Sequence, residues 1–350
     1  MRNLKGLEKL IYVINSLMAF ALLLSYILPY FEPKKFAFLS VLSLAVPALI
    51  ILNILFLIYW LLKVKRQLLL SLVVLLIGYN HVFSLYKFSS STNIEDSHNL
   101  SVMNYNVRLF NVFDWIEDDE LKGKMTDFLN DKSPDVLCMQ EYRPDDDIQL
   151  DGYYKYEELS GQQVKNGQAI FTKYPIVNSG SIEFPNTSNN AIFADIVKED
   201  DTIRIYNVHL QSSGIDPTVA NLKNEDSQNL INRVSSTFKA QQSQAELFLK
   251  HKVQCNYPMV ICGDFNNTAY SYVYKIIKED LNDAFVTAGN GFGRTYDFKF
   301  FPVRIDFILV DDQFSINGFK TFDVKYSDHY PIQAKVSLNA TSSDNPPDPQ

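Results

Sequence analysis

The chain has 350 residues and a formal net charge of −8, and 47% of its residues are hydrophobic. Of its 32 basic and 40 acidic residues, nine basic and two acidic lie in residues 1–88, which leaves 23 and 38 in the remainder, a net charge of −15. Tight nucleic-acid binding depends on neutralising phosphates with Lys and Arg. The bulk charge of residues 89–350 therefore disfavours such binding, although it permits a local basic groove.

Three apolar runs occupy about residues 10–31, 36–62 and 68–86 and carry almost no charge. Each run is long enough to cross a bilayer core of roughly 30 Å. The sequence therefore predicts three transmembrane helices within residues 1–88. A cleaved signal peptide fits less well because two further runs follow the first. Buried core helices of a soluble domain seldom occur as three such runs in succession.

Basic residues are more numerous at one end of these predicted spans than at the other, where Lys34 and Lys35 lie beside Glu32 and only Lys87 follows the last span. Three precede the first span and three lie in the link between the second and third: Arg2, Lys5, Lys9, Lys63, Lys65 and Arg66. The positive-inside rule places such residues in the cytoplasm. We therefore expect a multi-pass protein of the inner or cell membrane whose remaining residues lie outside the cytoplasm, in the periplasm for a Gram-negative source.

Three asparagines and one histidine fall inside the predicted spans: Asn15, Asn53, Asn80 and His81. Intramembrane polar groups are functional candidates by default. Interhelical hydrogen bonding is the favoured interpretation, because three of the four are uncharged amides.

A polar linker at residues 89–99 separates the spans from the rest of the chain and is expected to hold a folded domain clear of the membrane. The predicted organisation is an anchor at 1–88, this linker, a folded domain at 100–339 and a disordered tail at 340–350. The tail contains three prolines and two aspartates.

Strand-like and helix-like segments alternate through the folded domain. The predicted strands are Leu100 to Val107, Asp135 to Gln140, Ala169 to Thr172, Ile192 to Val197, Ile203 to His209, Met259 to Cys262, Ile305 to Val310 and Gln333 to Leu338. The predicted helices are Asp118 to Leu129, Thr237 to Lys250 and Tyr270 to Lys278. This mixture predicts an α/β layered domain.

Five short stretches place polar side chains at the ends of apolar runs: Met103–Val107, Cys138–Glu141, Ile261–Asn266, Arg304–Ile308 and Tyr326–Pro331. A buried carboxylate, amide or imidazole is costly unless it is paired or coordinates an ion. Oxygen-rich clusters suit hard cations such as Mg²⁺ or Mn²⁺. The pattern therefore predicts a metal-dependent site.

The residues of these stretches and their order along the chain resemble the motifs of the endonuclease/exonuclease/phosphatase superfamily of metal-dependent phosphodiesterases. The resemblance extends from about Leu100 to Leu338. The two most specific stretches are Gly-Asp-Phe-Asn at 263–266 and Ser-Asp-His-Tyr-Pro at 327–331. The resemblance implies a four-layer sandwich, in which two mixed β-sheets pack face to face and helices flank them.

The resemblance also implies roles for particular residues. It assigns metal binding to Glu141, with Asn106 and Asp328 as further ligands, and Mg²⁺ as the ion, with Mn²⁺ as an alternative. A strand-end amide that satisfies the backbone is the other interpretation of Asn106.

The remaining matches have catalytic roles in the family. His329 is the catalytic histidine, Asp306 orients it, and His209 contacts the scissile phosphate. Asp264 and Asn266 are two residues apart, so on an extended segment both side chains point to one face. There Asp264 would activate water and Asn266 would hold a phosphate oxygen, whereas an Asx turn is the competing interpretation. Whether His329 or Asp264 is the general base stays open.

Substrate identity is the least determined property. We expect a membrane-anchored phosphoric ester hydrolase acting on a lipid head group or small phosphate ester. An extracytoplasmic endonuclease or exonuclease on DNA or RNA is one alternative, and a catalytically silent anchored binding module is another. Specificity is expected in a polar insert at Gly214–Arg233 and in an aromatic, basic stretch at Gly291–Pro302. Those aromatics suit base stacking or a lipid interface, and the favoured alternative places them in the core.

Overall fold

The computed structural model describes residues 4–88, 92–161, 165–214, 226–298 and 301–339. Apolar helices make up residues 6–85, and two β-sheets with covering helices make up residues 100–338. The helices of the first part are α1 (Gly6–Ser25), α2 (Pro33–Val41), α3 (Val46–Leu62), α4 (Leu68–Ile77) and α5 (Tyr79–Leu85). We call residues 4–88 the anchor.

Two helical segments of the anchor, Gly6–Tyr30 and Pro33–Leu62, are long and apolar enough to cross a membrane. The third predicted span is broken: α4 and α5 meet at an angle of 83°. The prediction of three straight spans therefore holds for two, and a third crossing exists only if the bent pair counts as one span.

Gly78 lies at the break between α4 and α5. A Cβ at this position would lie 2.0 Å from Cζ of Tyr26, so a side chain cannot replace the glycine hydrogen. The Tyr26 hydroxyl donates to the Val74 carbonyl at 2.9 Å. Glycine is a common cause of sharp helix kinks, and here it also admits an aromatic ring from α1.

A buried polar network connects α1, α3 and α4. Asn15 donates from Nδ2 to Ser71 Oγ at 2.7 Å and accepts at Oδ1 from Trp60 Nε1 at 2.9 Å. Ser71 donates to Asn53 Oδ1 at 3.2 Å. Asn15 and Asn53 therefore form the interhelical hydrogen bonds that the sequence favours for them.

The described residues contain fourteen strands when the short ones are included, and all but the first follow the anchor. They are β1 (Tyr86–Lys87), β2 (Leu100–Asn106), β3 (Val136–Tyr142), β4 (Tyr154–Ser160), β5 (Asn166–Thr172), β6 (Ile176–Glu183), β7 (Asn190–Lys198), β8 (Asp201–His209), β9 (Met259–Asp264), β10 (Asn282–Asp283), β11 (Gly291–Phe292), β12 (Asp306–Val310), β13 (Phe314–Thr321) and β14 (Ile332–Leu338). The described residues contain these strands in two six-stranded sheets and one short pair.

The first sheet has the order β10-β12-β9-β8-β7-β6 and the second has the order β13-β14-β2-β3-β5-β4. Each sheet is mixed: β8 and β9 are parallel in the first, β2 and β3 are parallel in the second, and the other neighbours are antiparallel. Parallel neighbours end at the same edge of their sheet.

The two sheets pack face to face over an apolar core that includes Val102, Ile170, Ile205 and Val260. Outside the second sheet lies α6 (Leu121–Lys132), and outside the first lie α7 (Ser227–Lys252) and α8 (Tyr272–Lys278), while the short α9 (Ala284–Ala288) packs beside β13. This arrangement is the α/β fold of two mixed sheets flanked by helices that the sequence predicts.

All eight predicted strands are present, and α6 and α8 lie close to their predicted ranges. Helix α7 begins ten residues before its predicted start, because Asp226 caps it by accepting from the Gln228 amide at 2.9 Å. Residues 227–233 of the expected polar insert form the first turns of this helix, and residues 215–225 lie outside the described residues. Strands β4, β6 and β13 were not predicted; all three are sheet edges, where partial burial leaves no apolar run.

The two six-stranded sheets and their helices contact the anchor directly and are not separated from it by a linker. Helix α2 packs along α7, where the Lys34 amide donates to Gln242 Oε1 at 2.9 Å. The Tyr270 hydroxyl donates to the His81 carbonyl at 3.0 Å, and β1 pairs with β11. Within the expected linker, Asn93 bridges to β13, while residues 89–91 and the tail at 340–350 lie outside the described residues.

The buried network of the anchor should be measurable as stability. Replacing Asn15 by Leu leaves the Trp60 N–H without its acceptor and removes the amide donor to Ser71 Oγ, which keeps its own bond to Asn53. We therefore expect the free energy of unfolding to fall by about 1 kcal/mol. Denaturant titration of the full chain in detergent measures this change. Ser16→Ala is the matched control, because the Ser16 hydroxyl donates only within α1, to Tyr12. Equal loss in both variants would contradict the network's role.

Candidate active site

The polar side chains singled out in the sequence meet at one edge of the two sheets. The parallel pair β2 and β3 ends at Asn106 and Glu141, and the parallel pair β8 and β9 ends at His209 and Asp264. Asp306 begins β12 directly opposite Asp264 in the antiparallel register. Parallel strands thus deliver four of the groups to the same edge, and the neighbouring antiparallel strand adds the fifth.

Asn106 connects the two sheets. Its Nδ2 donates to Asp264 Oδ2 at 3.0 Å and to Glu141 Oε1 at 3.2 Å, and its Oδ1 accepts from the Arg108 backbone amide at 3.0 Å. One amide therefore holds carboxylates from both sheets in a fixed relation, and the simple backbone-satisfying interpretation does not account for those two contacts.

Glu141 is displaced from the regular pairing of β3. The register shifts between Gln140 and Tyr142, and Glu141 has a φ of 49°. Such a bulge redirects a side chain at the end of a strand. Burial raises the pKa of Glu141 above its ordinary value, and Asp328 acts in the same direction while His329 and Asn106 oppose it.

His329 and Asp306 form a close pair. His329 Nδ1 lies 2.9 Å from Asp306 Oδ2, and His329 Nε2 lies 3.7 Å from Asp264 Oδ2. The imidazole is almost fully buried, at 5% exposure. A carboxylate at Nδ1 fixes the orientation and the protonation of the ring and leaves Nε2 directed at the cleft.

The buried charges shift one another's pKa values. Burial alone lowers the pKa of His329, but Asp306 and Asp264 outweigh it and raise the value to about 10. Burial raises the pKa of Asp264 to about 7, against the opposing charge of His329. At neutral pH the site therefore contains a protonated imidazole next to a carboxyl that is close to its midpoint of ionisation.

Asp264 and Asn266 do not lie on one extended segment. Asn266 has a φ of 49° and its backbone amide donates to Asp264 Oδ1 at 2.8 Å, which is an Asx turn. The Asn266 side chain donates to the Leu210 carbonyl at 2.9 Å. The expectation of a shared face is wrong, and the turn instead uses Asn266 to fix both Asp264 and the chain after His209.

His209 faces the same carboxylate. Its Nε2 lies 3.9 Å from Asp264 Oδ2 and has no hydrogen-bond partner among the described residues. Burial lowers the pKa of His209 to about 4, with His329 acting in the same direction. The ring is therefore neutral at pH 7 and offers an unused polar atom to the cleft.

Asp328 lies at the rim, where it pairs with Arg108. The distance from Arg108 Nη1 to Asp328 Oδ2 is 3.3 Å, and the guanidinium lies 4.4 Å from the ring centroid of Trp115. Residues 108–111 all have positive φ values, a strained run that persists only where its surroundings enforce it. Arg108 was missed in the sequence, although its position two residues after Asn106 could have indicated it.

The donor set fits a hard divalent cation. Glu141 is partly buried and uses one oxygen on Asn106, so carboxylate oxygen remains for an ion beside Asn106, Asp264 and Asp328. Asp264, Asp306 and His329 also bring ligand atoms within 4.8 Å of one another. We favour the first set, because His329 Nδ1 already bonds Asp306 and Mg²⁺ prefers oxygen ligands.

Gln241 is a supporting residue that sequence reasoning missed. It is fully buried on α7, and its Nε2 donates to the Gln211 carbonyl at 2.8 Å and to the Asn266 carbonyl at 3.2 Å. Its Oε1 accepts from Asn267 Nδ2 at 2.8 Å. The side chain therefore fixes the loops that follow His209 and Asp264, and a lone glutamine in a helix carries no sequence signal for this.

Comparison with known families agrees with this geometry. The model of the endonuclease/exonuclease/phosphatase family matches residues 103–329, which is more than half of the chain. The chain belongs to the endonuclease/exonuclease/phosphatase family. A separate model, a domain of unknown function, matches residues 8–85.

Solved structures of the family share the fold. The endonuclease/exonuclease/phosphatase from Bacteroides vulgatus is 21% identical, with a TM-score of 0.54, over 69% of this chain and 99% of that chain. The Bacteroides thetaiotaomicron mannosyl-6-phosphatase is 18% identical, with a TM-score of 0.51, over 68% and 100%. D. rerio TDP2 complexed with a single-stranded DNA product is 17% identical, with a TM-score of 0.51, over 69% and 100%. No curated protein matches the sequence.

The pair of His329 and Asp306 yields a kinetic prediction. His329→Ala should lower kcat by about 10² or more, because an imidazole that donates in the transition state is lost. Asp306→Asn should lose a large part of that factor, and the double variant should lose much less than the product of the two, since both act through one ring. Turnover of a chromogenic phosphodiester by the full chain measures this.

His98→Ala serves as the control for that series, because His98 is an exposed histidine on the segment that leads into β2. Its kcat should equal that of the wild type. Independent, multiplicative losses for His329→Ala and Asp306→Asn would refute the pairing as a catalytic unit.

Proposed function

We propose that the protein is a membrane-anchored, divalent-metal-dependent phosphoric ester hydrolase acting on a lipid head group or a small phosphate ester. The observation that carries this proposal is the arrangement around Asp264: Asn106 joins it to Glu141, and His329 lies against it with Asp306 behind. This arrangement supports a single site in which metal ligands, a general base and a general acid lie side by side.

Ester hydrolysis needs charge neutralisation at the phosphoryl oxygens, a positioned water and a donor for the leaving oxygen. Glu141, Asn106 and Asp328 are the residues that would hold a Mg²⁺ or Mn²⁺ ion. When bound, the ion supplies Lewis-acid stabilisation of the phosphoryl group. The neutral His209 adds a further contact for a phosphoryl oxygen.

The pKa directions support an assignment of the base and the acid. Asp264, with a pKa of about 7, accepts a proton from water at neutral pH. His329, with a pKa of about 10, is protonated there and donates from Nε2 to the phosphoryl group or the leaving oxygen. In this scheme Asp264 is the general base and Asp306 is a positioning residue that acts through His329.

The anchor geometry supports three crossings with the site on the side opposite Met1. Ser71 of α4 lies level with Asn15 in the middle of α1. Ser84 and Leu85, at the end of α5, lie beside Pro47 at the start of α3. Helices α4 and α5 together therefore run back along the length of α3. By the positive-inside rule, the end of α5 lies outside the cytoplasm.

A nuclease is the second candidate. Cleavage of DNA or RNA is also hydrolysis of a phosphodiester, and one fold neighbour is complexed with a DNA product. A groove of about 910 Å³ is lined by four cations: Lys132, Arg294, Lys320 and Lys335. Three of them pair with acidic side chains, namely Asp131, Asp323 and Glu95. Paired cations neutralise few phosphates, so the groove adds little support for nucleic acid.

A catalytically silent binding module is the third candidate. It is disfavoured because every residue type expected for hydrolysis is present and the groups meet in one cleft. Loss of the acid, the base or the metal ligand would be the expected sign of such a module.

Metal dependence can be tested on the full chain in detergent. Hydrolysis of a chromogenic phosphodiester should stop in excess EDTA and return with Mg²⁺. Glu141→Gln should raise the Mg²⁺ concentration for half-maximal activity at least about tenfold, because a charged oxygen ligand is replaced by a neutral one. Calorimetric titration of Mg²⁺ gives the same comparison without activity.

Glu199→Gln is the control, because Glu199 is exposed and lies in the turn before β8, at the end of that strand opposite His209. It should bind Mg²⁺ as the wild type does. Full activity in excess EDTA would overturn the metal assignment.

Topology yields a further prediction. A reporter fused after Gln350 should be active only in the extracytoplasmic compartment, and one fused before Met1 should be active only in the cytoplasm. The measurement is reporter activity in intact cells. Cytoplasmic activity of the fusion after Gln350 would mean that α4 and α5 together fail to cross.

A further inference from the structure

An aromatic strip runs from the anchor to the catalytic histidine. It consists of Phe292, Tyr296, Phe298 and Phe301, within the stretch singled out in the sequence, of which residues 299–300 lie outside the described residues. None of the four is buried: Phe292 is 47% exposed and the other three are partly exposed. The expectation that these aromatics form core is therefore wrong, and another reason for them is needed.

One end of the strip lies on the anchor. Phe292 pairs with Tyr86 across β11 and β1, and the two rings are 4.8 Å apart. Phe301 lines a small cavity together with Pro47 at the start of α3 and Leu85 at the end of α5. This end of the strip therefore lies level with the termini of apolar helices.

The other end lies on the active site. The Tyr296 ring is 5.0 Å from the His329 ring, and the two residues form a backbone bridge. Between the two ends, Phe298 contacts Phe301 with ring centroids 5.1 Å apart. Aromatic side chains of one chain segment thus lie both at the helix termini and against the imidazole that faces Asp264.

A basic side chain accompanies the strip. Arg294 lies 4.2 Å from the ring of Tyr330 and pairs at 3.2 Å with the exposed Asp323. Because Asp323 offsets the charge of Arg294, the rings carry the argument: Tyr is enriched at the head-group level of a bilayer, and Phe on protein surfaces that insert into that region. A soluble phosphate ester would need no such strip, and nothing in that case would require it to begin at the helix termini.

We propose that the aromatic strip lies in the outer bilayer interface and guides phospholipid head groups to the cleft, so that the substrates are lipid phosphodiesters. This inference rests on the proposed hydrolase function. The reaction uses only water: a water oxygen forms a bond to phosphorus, one P–O ester bond breaks, and the alcohol leaves with a proton. Tyr296 is the last member of the strip before the reacting phosphate.

The experiment compares two substrates of the full chain. One is a soluble chromogenic phosphodiester, and the other is the phospholipid of proteoliposomes made from phosphatidylethanolamine and phosphatidylglycerol, with release of the hydrolysed head group or diacylglycerol measured. Phe292→Ser should lower lipid turnover by about tenfold, because an interfacial aromatic contact is lost. Its activity on the soluble diester should stay at the wild-type level.

Two further variants sharpen the comparison. Phe292→Trp should retain lipid turnover, because Trp also favours the interface. Tyr257→Ser should change neither activity. The exposed fraction of Tyr257, 44%, is similar to that of Phe292, but Tyr257 precedes β9 and so lies at the end of the sheet away from Asp264.

The outcomes separate the inference from the function on which it rests. Hydrolysis of the soluble diester without any phospholipid turnover overturns the lipid proposal and leaves the hydrolase function standing. Absence of both activities overturns the hydrolase function itself. An equal loss on both substrates in Phe292→Ser, or no loss on either, also overturns the strip as a lipid path.

Discussion

The burial of negative charge at one edge of two packed sheets is the constraint on which the rest of this structure depends. Asp264 and Asp306 are each 1% exposed, and Glu141 is close to them in the same cleft. Unpaired buried carboxylates are costly, so the surrounding groups are arranged to offset them: a protonated His329, the donor amide of Asn106 and room for a cation. The strained backbone at Glu141 and Asn266 persists because these contacts hold it in place.

Support for these charges comes from between the sheets. Asn104 Nδ2 lies 3.4 Å from Asp306 Oδ1, and Gln140 Nε2 donates to Asn104 Oδ1 at 2.7 Å and also to Asn207 of the first sheet. Buried amide networks of this kind fix one arrangement of the core, although Gln140 Oε1 has no hydrogen-bond partner among the described residues. The apolar core and these amides, which lie between the sheets near the strand ends, thus both fix the position of one sheet relative to the other.

Much of this fold can be predicted from the sequence, because buried strands are recognisable as apolar runs and the polar residues at their ends are easily identified. Strand β9 and its Asp264 are of this kind. What could not be predicted depends on contacts across the fold: β4 is an edge strand without an apolar run, Gln241 acts through loops brought to it by tertiary packing, and the Asx turn at Asn266 competes with an extended strand by only a local hydrogen bond.

Tyr270 has a consequence for how the protein folds. It lies four residues after Asn266, is 3% exposed, and packs in the same apolar cluster as Leu28, Val46 and Leu85 of the anchor. The catalytic part thus contributes a side chain to the interior of the anchor, and the family boundary near residue 103 does not divide two independent folding units. Cooperative units follow shared cores rather than homology boundaries. Loosening of the anchor would then disturb the loop that follows Asp264, and the two parts would unfold in one transition rather than two.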